Sequence, residues 1–196
     1  PEFLHQWNMV NKHLGESVPA GGFHQKEHPN FVGSIEPYPL LCDRADILTF
    51  QTDPLTIDTE ITGSVKVILL VSSEAPDTDF TVKLIDVYPP SRQYPEGYHL
   101  NLTDTILRMR YRNGWDKEVM MNPNEIYEIA LKLWPISNVF KKDHSIRLDV
   151  SSSNFPRFDI NPNTGEPLGK HSEMVTTENT LWVGDDKGSR AIFPIV

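Results

Sequence analysis

Hydrophobic and polar residues alternate in short blocks along most of this chain. The clearest block starts at His144 and runs HSIRLDVSSSNFPRFDINPNTGEPL to Leu168. Ile146, Leu148 and Val150 fall on one face, and Arg147, Asp149 and Ser151 on the other. A period of two with one dry face predicts a strand. At Asn154 the alternation stops, and Pro156, Pro162, Gly165 and Pro167 predict an ordered exit loop anchored by Phe155 and Phe158. Further strands are expected within 43–55, 61–73, 75–90, 103–112 and 122–135, with two more in TLWVGD and RAIFPIV around a DDKGS turn. In 61–73 Val65, Val67, Leu69 and Val71 oppose Ile68 and Leu70, so that strand is expected to be central and buried on both faces. Gly63 marks a turn or bulge within it. Segment 91–97 is a polar loop, and NVFKKDH, ending at His144, reads as a connection. About eight strands punctuated by Pro and Gly, with almost no helical period, predict an all-β two-sheet sandwich.

Two stretches near the start read differently. Residues 1–14 place Phe3, Leu4, Trp7 and Val10 near helical spacing. They are either a short amphipathic helix or a tail that packs on another domain. Residues 15–40 carry Gly15, Pro19, Gly21, Gly22, Pro29, Gly33, Pro37 and Pro39, a density of breakers that predicts a linker or extended arm. The domain expectation is therefore an arm over 1–40 and a sandwich over 41–196.

Composition narrows the function classes. At 196 residues the chain can bury its own core, and 38% hydrophobic content excludes wholesale disorder. A net charge of −9 argues against a nucleic-acid partner and against an anionic membrane surface. The longest apolar run, from Val67 to Val71, is far too short to span a bilayer. Cys42 is the only cysteine, so neither an internal disulfide nor a Cys-rich metal site can form. The opening PEFLHQWNMV shows no secretory h-region and, starting at Pro1, reads as a piece of a longer protein; the expected location is cytoplasmic.

SSSNFPRFDINPNTGEPL and APDTDFTVKLIDVYPP resemble the C-terminal domain of the CocE/NonD serine hydrolases, relatives of cocaine esterases and X-Pro dipeptidyl-peptidases. DRADILTFQTDPL is similar to the family's entry strand, with Ala45 where Pro is usual, and VPAGGFHQ to the segment leading in from the hydrolase domain. The resemblance implies a jelly-roll β-sandwich, like galactose-binding domains, that carries no catalytic residues. It implies an upstream α/β-hydrolase domain as partner, with homo-oligomer formation a further role. It also places Phe23 and His24 beside the catalytic cleft of that partner. An isolated piece is then expected to expose an apolar patch around Phe3, Trp7, Phe23 and Phe31.

Candidate chemistry within the chain is sparse. No serine sits in the G-x-S-x-G elbow that exposes a nucleophile; Ser151, Ser152 and Ser153 end a strand without flanking glycines. His24 and His28 have i, i+4 spacing but lie between Gly22 and Pro29, where a helix is not expected, so no metal is assigned. Asp77 with Asp79 and the Asp185–Asp186 pair lack the remaining ligands of a calcium loop. No cofactor is expected. Arg108, Arg110 and Arg112 project together if 103–112 is one strand, and Asp79, Asp86 and Asp149 are the candidate carboxylate partners of that network. A freestanding carbohydrate- or peptide-binding module is the alternative, with Trp115 in NGWDK as its ligand platform.

Overall fold

The computed structural model describes residues 5–10 (as backbone), 23–30, 34, 36–184 and 188–196. Among the described residues eleven strands follow in order: β1 His5–Val10, β2 Leu48–Gln51, β3 Thr59–Gly63, β4 Lys66–Ser73, β5 Asp79–Tyr88, β6 Tyr98–Arg108, β7 Tyr127–Lys132, β8 Ile136–Phe140, β9 Ser145–Ser151, β10 Glu178–Val183 and β11 Arg190–Ile192. Among the described residues the only helical elements are single 3-10 turns at Leu41–Asp43 and Met109–Tyr111. The fold is an all-β sandwich.

One sheet has β4 at its heart, flanked by β7 on one edge and by β10 and β11 on the other, with β1 beyond β10. The second sheet runs β2–β9–β5–β6. Every described pairing is antiparallel, which lets each strand put apolar residues inward and polar ones outward. Val67, Leu69 and Val71 of β4 meet Phe80, Val82 and Leu84 of β5 in the shared core, with Ile129 and Leu131 of β7 closing one side. Phe80 is fully buried, so truncating it to Ala is expected to cost about 3–5 kcal/mol.

Four sequence expectations change. Residues 5–10 form strand β1 rather than a helix, because six backbone positions pair with β10 from His5↔Val183 to Val10↔Glu178. The single strand expected over 61–73 is two: Gly63 takes φ 130°, and the chain leaves the β3–β8 ribbon there to enter β4. A Cβ at Gly63 would lie 3.2 Å from Pro194 Cγ, so the kink needs glycine on conformational and steric grounds. NVFKKDH is not a connection throughout, since Asn138, Val139 and Phe140 belong to β8, which pairs with β3. Finally, β6 begins at Tyr98 and ends at Arg108, where a 3-10 turn takes over.

That last change redirects the arginines. A strand would have stacked all three on one face; the turn sends them apart. Arg112 instead donates to the carbonyls of Met109, Val119 and Met120 and lies 4.5 Å over the Tyr127 ring.

Candidate functional site

The outward face of the β2–β9–β5–β6 sheet is polar yet covered. Thr49, Asp149, Lys83 and Asp104 align across its four strands, and the last three are buried. The cover is built from residues 23–30 and 36–47. The Asn101 N–H donates to the Phe23 carbonyl (3.2 Å) and the Gln25 N–H to the His99 carbonyl (2.8 Å), laying residues 23–25 along the edge of β6. Leu41 N–H in turn donates to the Gln25 carbonyl at 3.0 Å, and Leu41 with Ile47 forms a small apolar cluster over the sheet. Arg44 pins the same segment by a 2.8 Å contact to Glu27 and a two-pronged contact to Asp46. Gln25 Oε1 accepts from the buried Lys83 ammonium at 3.4 Å.

Two imidazoles sit at the rim of this cover. His99 Nδ1 lies 2.9 Å from Arg147 Nη1. A guanidinium can only donate, so His99 is neutral with its proton on Nε2. Burial, reinforced by the Arg147 charge and by His24, lowers its pKa from 6.5 to about 4. Arg147 is itself held by both oxygens of Asp149, at 2.7 and 3.1 Å. His24 Nδ1 accepts the His99 backbone N–H at 2.9 Å, and burial lowers its pKa as well. The His24 ring stacks on Tyr98 with centroids 4.6 Å apart.

From Tyr98 the aromatic contacts continue to Tyr94 at 4.7 Å and Tyr88 at 5.9 Å, and from Tyr88 to His144 at 4.3 Å. His144 Nδ1 meets Asp86 at 2.8 Å, and burial raises the Asp86 pKa. The strip depends on a tight turn at Gly97, which takes φ 80° and whose Cβ, if present, would lie 2.7 Å from the Tyr88 carbonyl oxygen. Phe23, half exposed, stands at the arm end of this strip.

The sequence-selected residues therefore separate into three places. Phe23 and His24 share the rim with His99, Tyr98 and Arg147. Asp149 lies beneath them paired to Arg147, while Asp86 pairs with His144. Neither carboxylate touches the arginines of 108–112 among the contacts described. Arg108 grips Asp79 with two hydrogen bonds at 2.9 and 2.8 Å, and Arg110 grips Asp77 through Nε at 2.7 Å. Asn161 bridges the two carboxylates at 3.0 and 2.8 Å, which fastens the closing loop to the start of β5. Trp115 is 77% exposed and packs 5.4 Å from the Tyr111 ring.

Ser151, Ser152 and Ser153 are buried and engaged by Thr81, Asn179 and the Phe155 N–H respectively. His24 and His28 do not share a helix face, because His24 and Lys26 lie in extended bridges. Among the described residues no group of three or more His, Cys, Asp or Glu side chains can hold a metal ion. Asp185 and Asp186 lie outside the described residues, as do Phe3, Phe31 and the Trp7 side chain.

The sequence pattern of the X-Pro dipeptidyl-peptidase C-terminal non-catalytic domain matches residues 19–190. The chain belongs to this family. The match takes in both halves of the rim, the arm and the sheet it covers. A cocaine esterase from Rhodococcus sp. (strain MB1 Bresler) is 42% identical over 156 residues, which is 79% of this chain and 26% of that protein. An α-amino acid ester hydrolase structure superposes with a TM-score of 0.78 at 26% identity, over 99% of this chain and 33% of that one. An aminopeptidase from a marine sediment archaeon (Thaumarchaeota) superposes with a TM-score of 0.75 at 23% identity, over 98% of this chain and 37% of that one, and shows the shared fold. The chain thus spans 26–37% of the length of these relatives. The family is a non-catalytic C-terminal domain, and the small share of each relative that is covered agrees with one domain of a longer chain.

Sequence reasoning passed over His99, Arg147, Tyr88, Tyr94 and His144. Arg147 was legible, since Arg147 and Asp149 are two apart on the polar face of a strand. The tyrosines carried a weaker signal, three aromatics within 88–98 among prolines. His99 had none, because its neutral state follows from burial beside a cation.

Proposed function

We propose that this domain walls the active-site cleft of a serine hydrolase, with the Ser-His-Asp triad supplied by an α/β-hydrolase portion of the same polypeptide acting on an ester or amide. Residues 1–40 form the lead-in from that portion, with 5–10 joined to the sandwich as strand β1, and Phe23 with His24 presents the wall. The observation that carries this reading is the rigid presentation of Phe23. The ring is half exposed while its backbone is bonded to β6 and its neighbour His24 is stacked and capped. Preorganised apolar surface of this kind limits what fits a cleft without taking part in bond making. The single, half-buried thiol of Cys42 fits a cytoplasmic setting, and homo-oligomer formation would be a further role of the domain.

The test uses the full-length parent hydrolase. Phe23→Ala and His24→Ala are expected to raise KM for a p-nitrophenyl ester about ten-fold, a loss of roughly 1.4 kcal/mol, with kcat little changed. Unaltered KM and substrate range in both variants would contradict the wall assignment. One observation favours a binding module instead: the exposed Trp115–Tyr111 pair, an aromatic platform of the kind sugars stack on. Saturable quenching of Trp115 fluorescence by an oligosaccharide, lost in Trp115→Ala, would select that reading.

A further inference from the structure

A neutral imidazole carries one proton, and the hydrogen bond made by one ring nitrogen decides which nitrogen holds it. His24 Nδ1 accepts the His99 backbone N–H at 2.9 Å. A backbone amide can only donate, so Nδ1 of His24 is bare and the proton sits on Nε2. Protonating the ring would set two N–H groups against each other. Burial, together with the charges of Lys26 and Arg147, holds the His24 pKa below the usual histidine value, so the neutral form prevails.

Three contacts fix the ring as well as its tautomer. Its face stacks on Tyr98 with centroids 4.6 Å apart and planes 14° from parallel. The His99 ring meets it edge-on at 5.7 Å and 84°. A half-turn of the ring would replace the Nδ1 acceptor by a C–H and leave the His99 N–H unpaired. The backbone is held too, by the His24↔Leu100 bridge and by the bonds of Phe23 and Gln25 to Asn101 and His99.

The two nitrogens of an imidazole point in nearly opposite directions. With Nδ1 turned to β6, Nε2 is turned away from it. Among the described residues Nε2 has no hydrogen-bond partner, and it is not one of the buried polar atoms sealed without one. An N–H fixed in place and reaching solvent therefore stands one residue from the half-exposed Phe23 ring. Such a donor selects by chemistry. An oxygen with a free lone pair gains a hydrogen bond there, whereas a methylene in the same place desolvates the N–H with nothing in return. An ammonium has no lone pair to offer, and it would meet the positive charges of Lys26 and Arg147.

We infer that His24 is a specificity-determining residue whose Nε2–H donates to an acceptor oxygen on the acyl group of a substrate lying against Phe23. This rests on the wall reading above and adds a substrate class to it: oxygen-bearing acyl groups, in preference to plain alkyl or ammonium-bearing ones.

The test uses the full-length hydrolase with two esters, p-nitrophenyl butyrate and p-nitrophenyl methoxyacetate, which differ by an ether oxygen in place of a methylene. Every variant is compared with the unmodified enzyme on both esters, so their intrinsic reactivities cancel. His24→Phe keeps a ring to stack on Tyr98 and removes the donor. It is expected to lower the ratio of kcat/KM, methoxyacetate over butyrate, by about ten-fold. Phe23→Ala is expected to weaken both esters and leave the ratio unchanged. An unchanged ratio in His24→Phe, with both esters weakened by Phe23→Ala, would overturn the donor assignment and leave the wall standing. No effect of either variant on either ester would overturn both. A measurement without any variant guards against a His24→Phe chain that fails to fold. Long-range proton–nitrogen NMR spectra of the 196-residue chain at neutral pH are expected to show His24 protonated on Nε2 alone. A proton on Nδ1 would overturn the inference.

Discussion

Among the arginine–aspartate pairings of this sandwich, two clusters are built from the same side chains and serve different ends. In the first, Arg110 and Asp77 are completely buried, Asp79 nearly so and Arg108 partly, and Asn161 joins them. Its bonds run to the closing loop at the Asp159 and Glu166 carbonyls, and Arg110 Nη1 also lies 3.5 Å from the exposed Glu118 carboxylate. In the second, Arg147 is clamped by Asp149 but turns a third nitrogen to His99 at the rim. From there the contacts pass through His24 to Tyr98 and the half-exposed Phe23. An Arg–Asp pair is a fastener when its remaining donors go to backbone carbonyls. It becomes a support when one of them fixes the state of a surface group.

The contrast can be broken from either side, and the largest effect lies in the fastener. Arg110→Ala leaves Asp77 buried without its cation and is expected to cost about 3–5 kcal/mol in urea unfolding. Equal stability of this variant and the parent would remove the distinction. Next comes the turn that shapes the rim. Gly97→Ala places a Cβ against the Tyr88 carbonyl at positive φ and is expected to cost roughly 1–3 kcal/mol.

The third effect is pH-dependent and belongs to the rim alone. The unfolded chain protonates His99 near pH 6.5, the folded chain only near pH 4. Between those values the unfolded state binds more protons, so stability is full above pH 6.5 and falls as pH drops toward 4. His24 is shifted in the same direction. His99→Gln, which keeps an acceptor for Arg147, is expected to flatten part of the fall in a thermal-melt series. An unchanged slope would show that His99 is not held neutral. The smallest effect on stability is Phe23→Ala, expected within about 0.5 kcal/mol because the ring is half exposed.

Much of the architecture is readable from alternation. Ile146, Leu148 and Val150 face the core as their spacing requires, and β4 is central as its two apolar faces require. What alternation hides is where a strand changes sheet or ends. Gly63 divides one apolar run between a ribbon and a sheet, and Arg108 closes β6 into a 3-10 turn without a breaker residue. The arginine pairings were half legible for this reason. Arg108 and Asp79 are cross-strand neighbours, whereas Arg110 leaves the strand and meets Asp77. The rim was legible only at Phe23 and His24 through family resemblance. The strand residues that support them come together through pairings across 48 and 75 positions of sequence.

The most direct measurement treats the purified chain with a serine-directed fluorophosphonate and weighs it intact, alongside assays on p-nitrophenyl esters and X-Pro-nitroanilides. A cooperative β-sandwich that folds on its own but has no hydroxyl activated by an imidazole should gain no mass and turn over neither substrate class. A stoichiometric adduct on one serine, with turnover that persists through purification, would contradict it.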